Sequence, residues 1–412
     1  MAWLTATEAL TALGVRRQTL YANVSRGRIR AKPDPKDPRR SLYDGGDVKR
    51  LAGRRGGRRS AASVAAETIG WGDPILASSV STIADGRLFY RGRDAVELAE
   101  SSSLEDIAAL LWESEGLSTE ASPIKNKSVR PSESPLESAL LVLAKRVATD
   151  SPSRRRTPAV LKAEAADLIG GLVEAMLGSN FRAGALIHQR MAAAWRARRA
   201  QDALRRALVL LADHELNAST FATRVAISTG APLSAGLLAG LATLAGPLHG
   251  GAVKAARALI RNARQFGATA AARDWLAQGR RLPAFGHPLY PQGDPRAIAL
   301  FAHFEPAPIF VETRAVVEDL IGEAPNVDFA IAALADAFQL PPPASFTMFA
   351  IARSVGWIAH ALEQAASDSL IRPRARYTGP APGSVDRIEA LSASRLAGGF
   401  ESSGTKKSTA SF

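Results

Sequence analysis

Residues 204–220, LRRALVLLADHELNAST, combine a helical repeat of leucines with a polar segment that contains a histidine. Leu204, Leu208 and Leu211 stand at i, i+4 and i+7, which places them on one face of an α-helix. The same Ala/Leu-rich character, with few β-branched runs, extends from about residue 136 to residue 364. The sequence therefore predicts a mainly α fold, with His214 inside its helical part.

A small β element is predicted ahead of the helical region. Residues 80–83 (VSTI) and 87–90 (RLFY) flank Asp85-Gly86, a dipeptide typical of two-residue hairpin turns.

The uncharged window 229–248 (TGAPLSAGLLAGLATLAGPL) has about the length of a membrane span. It is rich in Ala and Gly, contains two prolines and leads into His249, so a helix buried in the protein core fits it better. We expect no association with a membrane.

Composition bounds the class of protein. The 412 residues are 46% hydrophobic and 22% charged, which is typical of globular proteins and suggests two to four domains. The chain contains no cysteine, which excludes disulfide frameworks, thiolate zinc sites and cysteine nucleophiles. The N-terminal residues lack the pattern of a secretory signal, and we expect a cytoplasmic protein.

Positive charge is concentrated at the N-terminus. Residues 1–60 hold 15 Lys and Arg against 5 Asp and Glu, a net +10 that leaves only +3 of the total +13 for the remainder. A basic head on a near-neutral body suggests that the head binds a polyanion such as nucleic acid. A basic segment that is merely solvated is the alternative.

The head, residues 1–53, has the element order of a winged helix-turn-helix. Thr5 and Glu8 form a capping-box pattern, a second short helix is expected near residues 16–24, and residues 28–43 predict a hairpin or wing. TATEALTALGVRRQTLYANVSRGRIR and RRSLYDGGDVKRL resemble the MerR/excisionase type of DNA-binding domain. In that interpretation four residues of the second helix reach DNA, namely Arg16, Arg17, Gln18 and Thr19. The alternative is a helix-turn-helix kept for packing or dimerisation.

Two segments lack a helical or strand pattern. Residues 54–67 are rich in Gly, Arg and Ser and predict a flexible basic linker, and residues 396–412 predict a disordered tail.

Three of the six histidines have unusual neighbours. His214 begins HELNAST, His249 lies in GPLHGG and His287 lies in FGHP, where turns can direct a side chain into a cleft. No histidine has metal-ligand spacing, so we predict no metal site.

Seven motifs in a fixed order make residues 79–380 resemble the citrate synthase family, specifically its bacterial type. They are STIADGRLFYRGRDAVELAESSSLEDIAALLWE (81–113), DHELNAST (213–220), GPLHGGA (246–252), FGHPLYPQGDPRA (285–297), PNVDF (325–329), ARSVGWIAHALEQ (352–364) and RPRARYTGP (372–380). The resemblance implies a helical catalytic body over residues 68–395, with a large domain and a small domain at roughly 250–350. It also implies a homodimer, no cofactor, and condensation of the substrate acetyl-CoA with oxaloacetate.

The resemblance also implies roles for individual residues. Asp328 would take a proton from the acetyl methyl group, His249 would hydrogen-bond the thioester oxygen, and His287 would polarise the oxaloacetate carbonyl. Oxaloacetate would be held by His214, Arg296, Arg353 and Arg372, the last acting in the site of the neighbouring subunit. Arg374 and Arg376 compete with Arg372 for that position.

Two positions depart from the bacterial pattern, Pro288 in place of Arg and Ala330 in place of Tyr. They leave the preferred acyl-CoA open, so a 2-methylcitrate synthase that uses propionyl-CoA and a citryl-CoA-cleaving enzyme are alternatives. A third alternative is a DNA-binding regulator whose body senses oxaloacetate or acyl-CoA.

Overall fold

The computed structural model of the protein describes residues 3–13, 20, 23–24, 29–34, 37–53, 76–114, 134–178, 184–375 and 377–379. The chain divides into two compact units, Met1–Glu67 with Pro373–Phe412, and Thr68–Arg372. The expected linker at 54–67, the expected tail at 396–412, and the four DNA-contact candidates at 16–19 lie outside the described residues.

The first unit contains a three-stranded antiparallel sheet and helices around a small core. Its described elements are β1 (Trp3–Leu4), α1 (Ala6–Leu13), β2 (Ala31–Asp34), β3 (Asp37–Asp44) and α2 (Gly45–Gly53), with sheet order β1-β3-β2. The capping box is present at the start of α1: the Thr5 amide donates to Glu8 Oε2 at 2.7 Å, and the Glu8 amide donates to Thr5 Oγ1 at 3.4 Å. The buried side chains of this core are Ala9, Leu13, Leu20, Ile29, Tyr43 and Val48.

The second unit begins with the expected hairpin. Strands β4 (Ser81–Ala84) and β5 (Arg87–Tyr90) pair antiparallel, and β6 (Arg93–Asp94) extends the sheet. Asp85 has φ 49° and Gly86 has φ 73°, so both turn residues are left-handed, as a tight two-residue hairpin requires.

Helices make up most of the other described residues of the second unit, which confirms the mainly α prediction. In chain order they are α3 (Ala95–Ser101), α4 (Leu104–Trp112), α5 (Pro135–Thr149), α6 (Pro158–Leu177), α7 (Ile187–Ala194), α8 (Gln201–Leu211), α9 (Ala218–Ser228), α10 (Leu233–Leu244), α11 (Ala252–Phe266), α12 (Ala268–Ala277), α13 (Pro295–Phe301), α14 (Pro308–Ile321), α15 (Val327–Ala337) and α16 (Ala344–Ser367), with a 3₁₀ turn at Arg198–Ala200.

The long helix α16 lies at the centre of this core. It packs against α4, α6, α8, α9 and α10, and its Trp357 is fully buried. Leu204, Leu208 and Leu211 of α8 are also fully buried, as their spacing predicts. Helix α16 contacts both α8 and the segment that follows it, and that segment contains His214.

The uncharged window contains α10, which is a core helix as predicted. Leu233, Leu237, Leu241 and Leu244 are all buried. A Cβ atom at Gly240 would lie only 2.7 Å from Thr223 Oγ1, so the small residues of this helix permit close helix packing. Among the described helices, none is long and apolar enough to cross a membrane.

Candidate active site

His214 lies just after α8, where the chain turns toward α9. Its ring is buried, and its Nε2 is 3.0 Å from the hydroxyl of Tyr290. The ring centroid lies 5.2 Å from that of His287 in an edge-to-face arrangement. Two histidines 73 positions apart in the sequence therefore share one site.

Backbone hydrogen bonds attach the His287 loop to the start of α15. The Asn326 amide donates to Ala284 O at 3.0 Å, and the Gly286 amide donates to Ala324 O at 2.8 Å. Gly286 has φ 67°, in the left-handed region that favours glycine, and a Cβ atom there would displace the Glu323 carboxylate, whose nearest oxygen would lie at 2.5 Å. These bonds hold His287 beside the helix that carries Asp328.

Asp328 lies in the first turn of α15, and the N-cap of that helix is Asn326, whose Oδ1 accepts the Asp328 amide at 3.0 Å. Burial raises the pKa of the Asp328 carboxyl to about 6, with a further upward contribution from Asp294 and opposing contributions from Arg296 and Arg353. A carboxylate with this pKa is a stronger base than an exposed aspartate and is still ionised at neutral pH.

Arg296 and Asp294 form a buried ion pair at the start of α13. Arg296 donates from Nε to Asp294 Oδ1 at 2.9 Å and from Nη2 to Asp294 Oδ2 at 2.8 Å. Asp294 Oδ2 also accepts the Val327 amide at 2.9 Å, which attaches the pair to α15. The carboxylate raises the pKa of Arg296 above its ordinary value, against the effect of burial, and the guanidinium remains charged.

Arg353 projects from the middle of α16. Its Nε donates to the carbonyl of Leu211, the last residue of α8, at 2.9 Å. Neither of its Nη atoms has a hydrogen-bond partner among the described residues. Burial, together with the charge of Arg296, lowers the pKa of Arg353. Two buried guanidinium groups thus act on one region, which favours an anionic ligand there.

His249 lies in the turn between α10 and α11. Its Nε2 is 2.8 Å from Ser219 Oγ, and Trp357 Nε1 donates to the same oxygen at 3.1 Å. The turn is tight: a Cβ atom at Gly250 would lie 2.2 Å from Leu244 O, and one at Gly251 would lie 2.2 Å from Pro247 O. The two glycines after His249 are therefore explained by their close approach to the backbone that precedes it.

All three site histidines are neutral at neutral pH. Burial and the charge of Arg353 lower the pKa of His249 to about 4, and burial and Arg296 lower that of His287 to about 4. Burial and the two arginines hold the pKa of His214 well below its ordinary value. Neutral imidazoles donate hydrogen bonds without adding charge, so they suit a site that already holds two arginines.

The remaining predicted residues differ in placement. Arg372 is exposed, and none of the hydrogen bonds or ion pairs among the described residues joins it to the residues above. Arg374 is described and exposed in the other unit, and Arg376 lies outside the described residues. Pro288 is exposed next to His287, whereas Ala330 is fully buried in the core.

Several site residues had no role assigned from the sequence: Tyr290, Asp294 and Ser219. Tyr290 and Asp294 both belong to LYPQGDPR, and Asp294 caps α13 through the Arg296 amide at 3.0 Å. An Asp-Pro dipeptide at a helix start is a capping signal that could have identified Asp294. Among the described residues, no group of His, Asp and Glu is arranged to hold a metal ion.

Comparison with known proteins gives a consistent result. Residues 185–374 match the sequence model of the citrate synthase C-terminal domain. A citrate synthase of Haloferax volcanii is 40% identical over 185 residues, 42% of this chain and 49% of that protein, and citrate synthase 2 of Bacillus subtilis is 36% identical over 190 residues, 43% and 51%. The chain thus spans about half the length of the curated relatives that it matches.

Solved structures extend the likeness beyond the matched sequence. Citrate synthase from Thermotoga maritima superimposes with a TM-score of 0.63 and 25% identity, over 76% of this chain and 95% of that one. A ternary complex of Thermoplasma acidophilum citrate synthase with carboxymethyl coenzyme A and oxaloacetate gives a TM-score of 0.64 at 23% identity, over 78% and 97%, and supports the same fold. The chain is therefore similar to citrate synthases, in sequence over residues 185–374 and in fold over about three quarters of its length.

Proposed function

We propose that this protein is a citrate synthase, which condenses acetyl-CoA with oxaloacetate and hydrolyses the resulting citryl-CoA to citrate and CoA. The observation that carries the proposal is Asp328, a carboxylate with a pKa of about 6 in the same region as two buried arginines. A base of this kind suits the removal of a proton from the methyl group of a thioester. The arginines suit a dicarboxylate.

The reaction divides into three roles. Asp328 takes a proton from the acetyl methyl group while neutral His249 donates a hydrogen bond to the thioester oxygen, where negative charge develops. The methyl carbon then forms a bond to the keto carbon of oxaloacetate. His287, also neutral, polarises that carbonyl by donating a hydrogen bond, and the new alkoxide takes the proton of that N–H. The ring then regains a proton from solvent, and Asp328 releases the proton that it took from the methyl group. Water finally attacks the citryl thioester and releases CoA.

Oxaloacetate would be positioned by three residues of the chain. Arg296 has one terminal nitrogen, Nη1, and Arg353 has both, without a partner among the described residues, and these donors suit the two carboxylates. His214 adds a neutral donor beside His287. Fixing oxaloacetate in this way lowers the entropic part of the barrier.

The experiment is release of CoA thiol from acetyl-CoA in the presence of oxaloacetate, followed with a chromogenic disulfide. The protein contributes no thiol because it has no cysteine. Asp328→Ala should abolish release. Asp336→Ala, in the same helix but at an exposed pair with Arg264, should not. If the wild-type protein releases no thiol with any acyl-CoA while remaining folded, the proposal is wrong.

A second acyl-CoA is the alternative substrate, and Pro288 motivates it. This exposed residue follows His287 directly, and that position supports an effect on the choice of acyl-CoA. Ala330 supports the alternative less, because its side chain is packed in the core. Thiol release from propionyl-CoA, compared with acetyl-CoA and with cleavage of citryl-CoA, separates a 2-methylcitrate synthase or a citryl-CoA-cleaving enzyme from a citrate synthase.

We further propose a cytoplasmic homodimer that needs no cofactor and in which Arg372 completes the site of the partner. The exposure of Arg372, apart from the residues that surround His214, is what a residue acting in another subunit would show. Mixing Arg372→Ala chains with Asp328→Ala chains tests this. Activity should appear only in the mixture if Arg372 acts across the dimer.

For the N-terminal head we propose DNA binding through a MerR/excisionase-like helix-turn-helix. The +10 charge of residues 1–60 motivates the proposal. Arg30 forms ion pairs within the head, with Asp44 at 3.3 Å and Asp47 at 2.9 Å. We therefore expect other basic residues of the head to contact the DNA phosphates. Binding should fall steeply with salt, and a double Arg16→Ala, Arg17→Ala variant should bind more weakly.

The alternative of a DNA-binding regulator predicts one further property of the head. Oxaloacetate or acyl-CoA should then shift the affinity for a specific duplex. Equal weak binding to all duplexes, unchanged by oxaloacetate, would count against both a specific DNA site and this regulatory role.

A further inference from the structure

The β4–β5 hairpin contacts the chain on both sides of His214. Ser81 Oγ donates to the Asp213 carboxylate and accepts the Glu215 amide at 3.1 Å. The Ile83 amide donates to Glu215 Oε1 at 2.5 Å. One serine hydroxyl therefore joins the residue before His214 to the residue after it.

Tyr90 of β5 also binds the chain just before His214. Its hydroxyl donates to Val209 O at 2.9 Å and accepts the Asp213 amide at 3.3 Å. Glu215 has φ 50°, in the left-handed region that a glutamate seldom adopts. The hydrogen bonds from the hairpin to Glu215 therefore stabilise a backbone turn that would otherwise be unfavourable.

The segment is also attached to α16. His360 Nε2 lies 3.3 Å from Asp213 Oδ2, with both side chains fully buried, and the Gly356 amide donates to Ala212 O at 3.1 Å. Asp213 thus accepts from the hairpin and contacts α16 through a single carboxylate oxygen. Burial alone would raise the pKa of Asp213, but His360 and the other neighbours lower it, so the carboxyl is ionised.

The same stretch of chain also holds Arg353, because Leu211 O accepts its Nε. Residues 211–215 therefore fix two groups, the ring of His214 and the guanidinium of Arg353, relative to each other. Both groups are assigned to oxaloacetate in the function proposed above. None of Ser81, Asp213 and His360 has a part in the chemical steps.

We propose that Ser81, Asp213 and His360 are positioning residues. They set the geometry of His214 and Arg353 for oxaloacetate, and the β4–β5 hairpin supplies part of this support through Ser81. The inference rests on the proposed function because it names oxaloacetate as the ligand. It assigns a positioning role to the STIADG segment (residues 81–86), none of whose residues has a part in the chemical steps proposed above.

The test compares Ser81→Ala with the matched control Ser79→Ala in the full-length protein. Ser79 lies two residues earlier but bonds Glu363 and Arg91 rather than the His214 segment. Ser81→Ala should raise the Kd and KM for oxaloacetate about tenfold, the effect of one hydrogen bond to a charged group, while the KM for acetyl-CoA stays the same. Ser81→Thr, which keeps the hydroxyl, should restore much of the affinity, and Ser79→Ala should bind normally.

A second readout does not depend on turnover. With only six histidines, the imidazole NMR signals of the protein can be assigned by substitution. The His214 signals should shift in Ser81→Ala, and those of His303 should not. Asp213→Asn and His360→Gln should resemble Ser81→Ala wherever circular dichroism shows that they fold.

The outcomes separate the two proposals. If the wild-type protein binds oxaloacetate and Ser81→Ala binds it with the same Kd and the same His214 signals, the positioning assignment is wrong and the proposed function stands. If the KM values for both substrates rise equally, the role is structural and the assignment is again wrong. If the wild-type protein binds no oxaloacetate, the proposed function itself fails.

Discussion

Asp294 holds Arg296 by two parallel hydrogen bonds, and the two side chains are exposed by only 1% and 3%. The carboxylate also accepts the amide of Val327, the residue before Asp328. One aspartate therefore links an arginine assigned to oxaloacetate with the helix that carries the assigned base. This arrangement explains how Arg296 in α13 and Asp328 in α15 keep a fixed separation.

Asp294→Asn should destabilise the protein and weaken oxaloacetate binding. Removing the charge leaves Arg296 buried without its counterion, at a cost of about 3–5 kcal/mol in the free energy of unfolding. Urea denaturation measures the cost. The control is Asp336→Asn, which breaks the more exposed pair with Arg264 and should cost about 1 kcal/mol or less. Equal losses in the two variants would contradict the importance assigned to the buried pair.

The pH dependence of turnover should report Asp328. Because this carboxyl has a pKa of about 6, kcat/KM should fall as the pH drops through that value and the base becomes protonated. His249 and His287 have pKa values of about 4, so they should add no transition between pH 6 and 8. A profile that is flat from neutral pH to pH 5 would contradict the assignment of the base.

Asp328→Asn should make the protein more stable at pH 8 while removing activity. A raised carboxyl pKa means that the folded state holds the proton more tightly, so the contribution to stability decreases as the pH rises from about 4 to 6 and stays low above it. The amide avoids burying that charge, with a gain of up to about 3 kcal/mol at pH 8 that disappears near pH 4. Urea denaturation at the two pH values measures it.

The half-buried His249 and His287 should make the fold less stable in acid, which is opposite to the effect of Asp328. Their pKa values are lowered in the folded state, so the unfolded chain binds more protons below its own histidine pKa and stability falls between about pH 6.5 and pH 4. His287→Gln should reduce the loss on going from pH 7 to pH 5 by about 2 kcal/mol. An unchanged pH slope in that variant would show that the pKa of His287 is not lowered in the folded protein.

The sequence predicts the elements of this fold better than their meeting points. The spacing of Leu204, Leu208 and Leu211 predicts a buried helical face, and Asp85-Gly86 predicts the hairpin, because both signals are local. The approach of His214 to His287 within 5.2 Å depends on packing between segments 73 residues apart. Local sequence patterns do not predict that distance. Only the resemblance to a known family indicated that the two histidines share a site.

The hydrogen-bond partners of the site histidines are even less predictable from the sequence. Ser219 and Tyr290 are ordinary polar residues in sequence, and their roles arise from single hydrogen bonds to His249 and His214. His360 is fully buried against Asp213, and no local pattern in the sequence predicts that contact. Such support is specified by side-chain geometry in the folded core, which local propensity does not encode.

Gly356→Ala tests whether α16 must pack closely against residues 212–213, which precede His214. In an open helix this change would stabilise the protein by about 1 kcal/mol, because alanine is the better helix former. Here a Cβ atom would lie 2.3 Å from Asp213 Oδ1 and 2.4 Å from Ala212 O, so the two segments must separate. We expect a loss of about 1–3 kcal/mol in the free energy of unfolding and weaker binding of oxaloacetate. The control Ala365→Gly, near the end of the same helix, should lower stability by about 1 kcal/mol and leave oxaloacetate binding unchanged. A Gly356→Ala protein that is more stable than wild type and binds oxaloacetate normally would mean that the packing at this position does not constrain His214.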